Sequence, residues 1–412
     1  MRFRDCGLMM SLCLAAAGVA AVEIPETFSA DSTPPVDVRR IPNGGIQPEV
    51  VAGADEAIHL VYFAGEPAGG DIFYVRSPDG GATFSSPVRV NSQERSAIAA
   101  GTIRGAQVAV APDGLVHVAW NGSDQALPKG LPNPKTGRPG SPMLYARSNP
   151  ARTAFEPQRN LMTHTYNLDG GGSLAAGDNG AVYVVWHGND VKGGEGEDAR
   201  RVWLARSTDG GATFGAETAA WSEPTGACGC CGMRAFASGS AVRILYRSAS
   251  AQINRDIYSL LSSDRGRTFT GARLHEWDIN ACPMTSMSIA SQGTRVFGAW
   301  ETDGQVYFSE LGGAAKSSPV APAPSNSSSV APGSSNPGDR RRKHPRLAID
   351  REGRMLFVWT EGMAWARGGR LAWQAFGPAG QPLGTPGARP GVPVWSVGAA
   401  VARPNAGFVV FY

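Results

Sequence analysis

One turn sequence recurs along this chain and limits what it can fold into more than any other feature does. The octapeptide SPDGGATF at 77–84 returns as STDGGATF at 207–214 and as SSDRGRTF at 262–269, and a divergent copy lies at 148–155. In such a turn the Asp carboxylate accepts backbone N–H groups, a glycine adopts the left-handed conformation, and the final Phe packs beneath. The pattern predicts repeated β-hairpins in which Asp79, Asp209 and Asp264 have structural roles.

A strand that ends in an aromatic residue recurs with these turns and sets the size of the repeat. Six such strands, spaced 54 to 66 residues apart, end at Tyr62, Trp120, Trp186, Tyr246, Trp300 and Trp359. A shorter strand precedes each one and a third strand follows it, and the 53 glycines and 30 prolines supply the turns. We therefore predict an all-β fold, a six-bladed β-propeller with four-stranded blades, closed by pairing of 408–412 with 36–41.

The turn motif Ser-x-Asp-x-Gly-x-Thr-Phe resembles the Asp-box (BNR) repeat of sialidases and their relatives, and the likeness covers nearly the whole chain after residue 21. The resemblance implies a sialidase-like propeller and, by analogy, an exo-acting glycosidase of the exo-α-sialidase kind. Sialidases hold the substrate carboxylate with three arginines, use a tyrosine activated by a glutamate as nucleophile, and use an aspartate as acid/base catalyst.

Carried over by position, the resemblance implies six catalytic candidates. They are Arg40 in the Arg40-Ile41-Pro42 motif, Arg104, Arg247, Glu301, Asp169 and Tyr166. No tyrosine and glutamate pair matches the family pattern. A sialidase-like chain that has lost or changed its chemistry is therefore a competing interpretation.

Further polar residues are expected around one pocket. In a four-stranded blade, the loop that enters the innermost strand and the loop that leaves the second strand lie on the same face, whereas the repeated turns lie on the other. Polar groups that converge in a concave site suit a small polar ligand or a glycan. The predicted substrate-binding residues are Asn121, Trp186, His187, Glu49 and Gln107, and the glycines 170–172 would allow a close approach.

Four cysteines after residue 21 form a separate signal. Cys228, Cys230 and Cys231 lie in the string CGCC, and Cys282 lies in ACPM. Two disulfides are the first interpretation for an exported chain. Because thiolates and thioethers are soft ligands, a copper or redox site with Met284 is a second interpretation, and free thiols are a third. The spacing matches no strong zinc pattern.

The N-terminal segment, one low-complexity segment and the net charge limit the location and the partners of the protein. Residues 1–21 have the layout of a secretory signal peptide, which predicts a secreted or periplasmic protein with a single propeller at 22–412. The Ser- and Pro-rich segment 314–338 is predicted to be a disordered insertion between blades five and six. A net charge of +3 argues against nucleic acid as a partner, and no membrane span is expected. Three functions stay open: a glycosidase, a non-catalytic glycan- or protein-binding propeller, and a copper or redox protein.

Overall fold

The computed structural model describes residues 32–312, 341–405 and 407–412. The predicted signal peptide 1–21 and the predicted insertion 314–338 lie outside these residues. The described strands are β1 (Val36–Arg39), β2 (Ile46–Ala52), β3 (Ile58–Glu66), β4 (Gly69–Ser77), β5 (Val88–Arg89), β6 (Gln107–Val110), β7 (Val116–Asn121), β8 (Met143–Arg147), β9 (Arg159–Asn160), β10 (Thr165–Tyr166), β11 (Ser173–Ala176), β12 (Val182–Asp190), β13 (Arg201–Ser207), β14 (Thr218–Ala219), β15 (Arg234–Ser238), β16 (Ala241–Arg247), β17 (Ile257–Ser262), β18 (Thr270–His275), β19 (Ser288–Gln292), β20 (Arg295–Thr302), β21 (Gln305–Glu310), β22 (Arg342–Ile349), β23 (Met355–Glu361), β24 (Gly369–Phe376), β25 (Pro382–Val392), β26 (Ala399–Ala402) and β27 (Phe408–Phe411).

These strands form seven sheets, which are the blades of a propeller. Blades 1 to 6 are β2–β5, β6–β9, β10–β14, β15–β18, β19–β21 and β22–β25, and blade 7 is β26, β27 and β1. The inner strands β2, β6, β11, β15, β19, β22 and β26 contact one another in that order, and β26 returns to β2. The prediction of six blades is therefore wrong in number, because the C-terminal strand belongs to a seventh blade and does not complete the sixth.

The seventh blade joins the two ends of the described chain. β1 pairs in parallel with β27, with Val36 opposite Phe408 and Arg39 opposite Phe411. β26 pairs antiparallel with the other edge of β27. The predicted pairing of 408–412 with 36–41 is present. It closes the ring by joining the two ends of the described chain in one blade.

The repeated turns have one hydrogen-bond pattern. In the first copy the Asp79 carboxylate accepts from Ser77 Oγ at 2.7 Å, from Thr83 N–H at 2.9 Å and from Thr83 Oγ1 at 2.6 Å. Asp209 and Asp264 make the same bonds in blades 3 and 4. The threonine hydroxyl, the backbone N–H and the serine hydroxyl hold the pKa of Asp79 well below its usual value.

The aromatic residue of three of these turns packs across to the preceding blade. Phe155 meets Tyr74 edge to face with 5.7 Å between ring centroids, and Phe214 meets Tyr145 at 4.8 Å. Phe84 of blade 1 meets Phe411 of blade 7 at 5.7 Å. The turn repeat therefore stabilises contacts between blades as well as the hairpin within a blade.

The core lies between the sheets and contains the aromatic strand ends. Trp120, Trp186, Trp300 and Trp359 are almost completely buried. Full burial of Trp186 corrects its predicted role in substrate binding, since its indole packs in the blade core and its Nε1 donates to Thr165 Oγ1 at 3.1 Å. No helix within the described ranges has the length and hydropathy needed to cross a membrane.

Candidate functional site

One face of the propeller brings several of the predicted polar residues together, and we call it the mouth face. Antiparallel strand order places the entries to the inner strands and the exits from the second strands on this face. The repeated turns lie on the opposite face, where Gly210 N–H donates to Gly180 O at 2.8 Å, in the turn between β11 and β12. The predicted division into a pocket face and a turn face agrees with this arrangement.

Arg104 and Asp169 form an ion pair on the mouth face. Arg104 Nε donates to the Asp169 carbonyl oxygen at 2.7 Å, and its Nη2 donates to the Asp169 carboxylate. Their side chains are 20% and 42% exposed, so both reach solvent. Asn121 is buried, and its Nδ2 donates to the carbonyl oxygens of Asp169 at 3.1 Å and of Gly170 at 2.8 Å. Asn121 therefore positions the loop that carries Asp169 and does not itself face a ligand.

The glycines at 170–172 allow neighbouring blades to touch through their backbones. A Cβ atom on Gly171 would overlap the carbonyl oxygen of Ile103, and one on Gly170 would overlap that of Gly229. Gly170 N–H donates to Nε2 of the fully buried His187 at 2.9 Å. Burial lowers the pKa of His187 to about 3, so the imidazole stays neutral. His187, predicted to bind substrate, is a buried hydrogen-bond acceptor.

The axis of the propeller is closed by a cluster that we call the channel plug: Glu49, Gln107, Arg234 and Arg346. Arg234 donates to the two Glu49 carboxylate oxygens at 2.7 and 3.1 Å and to Gln107 Oε1 at 2.7 Å. Arg346 lies 3.4 Å from the same carboxylate. The remaining cavity is about 20 Å³, which is room for one water. Glu49 and Gln107, predicted to bind substrate, therefore form part of a closed plug.

Two similar β-bulges, one in β2 and one in β22, form two sides of the plug. The register of β2 shifts between Ile46 and Glu49, and the register of β22 shifts between Lys343 and Arg346. Within these bulges Gln47 and His344 have φ values of 53° and 53°. The local sequences Gln-Pro-Glu and His-Pro-Arg were the available signal for this equivalence. The bulges place Glu49 and Arg346 close enough to pair across the axis.

A buried layer between blades 4 and 5 contains Arg247 and Glu301. Arg247 is 2% exposed; its Nη1 donates to Arg255 O at 2.7 Å and its Nη2 donates to the Glu301 carbonyl oxygen. The Glu301 carboxylate lies 3.5 Å from Arg247 Nη2 and accepts from Gly304 N–H at 2.6 Å. Burial raises the pKa of Glu301, although the Arg247 charge opposes this. Arg247 and Glu301, both predicted to be catalytic, therefore contact each other, but both are buried where a substrate in solution does not reach them.

The loop that enters β15 gathers three of the cysteines, and we call Ala227–Gly232 the Cys loop. The Sγ atom of Cys228 lies 3.4 Å from those of Cys230 and Cys231. All four described cysteines are free, and Cys282 is exposed and lies outside the group. The predicted disulfides are therefore not present. Burial raises the pKa of the Cys231 thiol, but the neighbouring thiols and Arg247 outweigh burial and lower it well below its usual value.

A small cleft on the mouth face, here called the mouth cleft, was missed by the sequence analysis. It is lined by Thr102, Met284, Lys343, His344, Met363, Ala364, Trp365 and Trp395. Trp365 is 52% exposed, and its ring meets that of Trp395 edge to face with 6.3 Å between centroids. A Cβ atom on Gly101 would contact both Trp365 and Arg104 Nη1, so the cleft adjoins the Arg104–Asp169 pair. Neither tryptophan ends a repeated strand. That difference from the other tryptophans was the sequence signal that could have identified Trp365 and Trp395 as site residues.

Two other predicted residues lie apart from the mouth cleft. Arg40 donates to Gly391 O at 2.6 Å and stacks 4.2 Å above the Tyr412 ring in blade 7. Tyr166 is buried in β10, where burial raises its pKa, and its charged neighbours are Lys135 and Glu195. Among the described residues, three arginines and a tyrosine–glutamate pair are therefore not assembled around one ligand position.

Comparison with known proteins yields no matching family model and no matching curated protein. Among solved structures, a Hadza microbial sialidase aligns with a TM-score of 0.49 and 14% identity, over 77% of this chain and 64% of the sialidase, which is less than two thirds of that protein. A Penicillium chrysogenum α-L-arabinanase aligns with a TM-score of 0.49 and 12% identity, over 82% and 95% of the two chains. A Dyadobacter fermentans protein of unknown function aligns with a TM-score of 0.48 and 14% identity, over 84% and 95%. By its own sheets and its ring of inner strands, the chain has a β-propeller fold, with seven blades instead of the predicted six.

Proposed function

We propose that the mouth cleft binds a glycan and that the chain is a glycan-binding propeller. The observation that carries the proposal is Trp365, an indole that is 52% exposed and packs against Trp395 at the rim of a mostly apolar cleft of about 30 Å³. The apolar face of a sugar ring stacks on such an indole, because the indole is large, rigid and apolar over most of its surface. Thr102 and Lys343 in the same cleft can hydrogen-bond ring hydroxyls. The export predicted from residues 1–21 accords with a glycan ligand.

Binding without hydrolysis is favoured by the carboxylates near the cleft. A general acid needs a raised pKa together with access to the substrate. Burial raises the pKa of Glu301, but that residue is only 2% exposed. Asp169 is exposed, but it is paired with Arg104. Of the two carboxylates among the catalytic candidates, Glu301 is shielded from solvent and Asp169 is held in an ion pair with Arg104.

The test is a glycan array followed by calorimetry with the glycans that bind. Trp365→Ala should weaken binding by about tenfold or more, since loss of the stacked ring removes about 1.4 kcal/mol or more. Trp365→Phe should retain much of the affinity. Leu127→Ala is the matched control, because Leu127 is also an exposed apolar side chain, at 57% exposure. If Trp365→Ala and Leu127→Ala bind every glycan equally well, the mouth cleft is not the binding site.

An exo-acting, sialidase-like glycosidase is the second candidate, and the exposed Asp169 carboxylate beside Arg104 is the observation that favours it. Fluorogenic sialosides and other aryl glycosides would be assayed with wild type, Arg104→Ala and Asp169→Asn. Asp178→Asn, in an exposed turn on the opposite face, is the control. Release that Arg104→Ala and Asp169→Asn abolish and Asp178→Asn retains would establish hydrolysis. Equal release by all variants, or none by wild type, would reject it.

A further inference from the structure

The three thiols of the Cys loop are arranged as a group of ligands. The sulfur atoms of Cys228, Cys230 and Cys231 all lie within 4.8 Å of one another. Cys228 and Cys231 are each 3% exposed, and Cys230 is half-buried, so the group is shielded on most sides and open at one edge. Three sulfur atoms this close together, one of them on a half-buried residue, form a group that a soft metal ion can bind.

The backbone on both sides holds the Cys loop in this shape. Cys228 N–H donates to Arg247 O at 2.9 Å, and Gly232 N–H donates to Thr285 O at 2.9 Å. Gly229 N–H donates to the Glu197 carboxylate at 2.7 Å. A Cβ atom on Gly229 would overlap the Arg200 guanidinium, so the glycine lets a cation pack against the loop. The loop is thus anchored to blades 3, 4 and 5, and the sulfur geometry is preorganised.

Three buried arginines around the Cys loop have guanidinium N–H groups that lack a hydrogen-bond partner among the described residues. Arg247 Nε, Arg255 Nε and Nη1, and Arg200 Nε find no hydrogen-bond acceptor among the described residues, and these three arginines are 2%, 4% and 7% exposed. Buried donors of this kind are costly unless an anionic group faces them. Arg255 interacts electrostatically with Cys228 and Cys230, and Arg247 with Cys231. These unpartnered guanidinium groups would offset the negative charge on the sulfur atoms once a metal ion has displaced the thiol protons.

We propose that Cys228, Cys230 and Cys231 bind one Cu(I) ion as a three-thiolate site. Thiolates are soft ligands that select Cu(I), and three of them complete a trigonal coordination shell. Zinc in structural sites takes four ligands in a tetrahedron, and the group holds three. This proposal does not rest on glycan binding at the mouth cleft.

His187, which interacts electrostatically with Cys231, cannot supply a fourth ligand in this arrangement. His187 accepts the Gly170 N–H through Nε2, so in the neutral imidazole the proton lies on Nδ1, which has no partner among the described residues. A protonated nitrogen donates and does not ligate. Cys282 is exposed and lies outside the thiol group, and Met284 lines the mouth cleft. Among the predicted metal ligands, the site therefore consists of the three thiols of the Cys loop.

The experiment is an anaerobic titration of the fully reduced protein with Cu(I), with bathocuproine disulfonate as competing chelator. Wild type should retain one Cu(I) per chain, and X-ray absorption should show sulfur as the only first-shell scatterer. Cys230→Ser should lower the affinity by about 100-fold or more, since a ligand loss exceeds the 10- to 100-fold cost of losing an outer partner. Cys282→Ser is the matched control and should bind Cu(I) as wild type does.

Folding is monitored separately, so that a negative result is interpretable. Because Cys230 is half-buried, the metal-free Cys230→Ser protein should melt close to wild type by circular dichroism, and Cu(I) should raise the melting temperature of wild type alone. The proposal is overturned if reduced wild type retains no Cu(I). It is also overturned if Cys230→Ser binds Cu(I) as tightly as Cys282→Ser, or if the bound ion has nitrogen or oxygen ligands.

Discussion

Glu49 is the single carboxylate of the channel plug, and its neutralisation tests whether the plug stabilises the ring. It accepts two hydrogen bonds from Arg234, at 2.7 and 3.1 Å, and lies 3.4 Å from Arg346. Its side chain and that of Arg346 are both 9% exposed. In Glu49→Gln the two guanidiniums would face each other without a counterion beside a cavity of about 20 Å³.

The expected cost follows from the loss of one member of a buried ion pair. Such a loss destabilises by about 3 to 5 kcal/mol, because the remaining charge is buried and uncompensated. Glutamine keeps one oxygen that Arg234 can use, so we expect a value near 3 kcal/mol. The free energy of unfolding would be measured by urea titration with tryptophan fluorescence. Glu195→Gln is the matched control: its pair with Lys135 spans 2.9 Å but is 39% and 74% exposed, and its loss should cost less than about 1 kcal/mol.

The pH dependence gives a second measure of the same group. Burial raises the pKa of Glu49, but Arg234 and Arg346 outweigh it and hold the pKa below the ordinary value of 4.5. A carboxyl group whose folded pKa is depressed adds stability that is complete above its unfolded pKa and is lost as the pH falls through the folded pKa. Wild type should therefore lose stability below about pH 4.5, and Glu49→Gln should lose less over that range. Equal costs for Glu49→Gln and Glu195→Gln, with parallel acid limbs, would refute the role of the plug.

Three further outcomes are expected, each measured by denaturation. Phe411→Ala should cost about 3 to 5 kcal/mol, because Phe411 is fully buried in the closing strand and contacts Phe84; a cost below about 1 kcal/mol would mean that the ring is not held there. Gly171→Ala should cost about 1 to 3 kcal/mol through overlap with the Ile103 carbonyl, whereas Gly215→Ala, whose Cβ would meet only Arg206 O at 3.9 Å, should cost less. Stability should also fall as the pH drops below 6.5, because buried histidines whose folded pKa is depressed bind protons only when the protein unfolds. His187→Gln should reduce that fall. An unchanged pH dependence in His187→Gln would contradict the buried, neutral state of His187. The pKa values are lowered to about 4 or about 3 by burial in His59, His117, His187 and His344.

Local features of the chain were predictable because they depend on neighbouring residues. The turn around Asp79 needs a serine, an aspartate, a glycine and a threonine within eight positions, and the structure closes it with bonds among those residues. Strands that end in aromatic residues were found for the same reason. The pairing of the C-terminal strand with 36–41 followed from the need to close a ring of blades.

The number of blades was harder to predict, since the seventh blade lacks the markers used to count the others. Its strands are short, it has no turn repeat, and β1 joins it from the far end of the chain. Six copies of the strand pattern therefore suggested six blades. Only the ring of inner strand contacts determines the count.

The sequence by itself determined an all-β chain of repeated hairpins, the face on which the inner strands begin, and the clustering of three cysteines in one short loop. Tertiary structure decided which polar residues pair and which reach solvent. Glu49 and Gln107 entered the plug because two bulges bring Arg234 and Arg346 across the axis, and Trp365 reached the rim from a loop outside the repeat. The physical reason is that a hairpin is specified by bonds between neighbouring residues, whereas burial and ion pairing depend on side chains from blades that are distant in the chain.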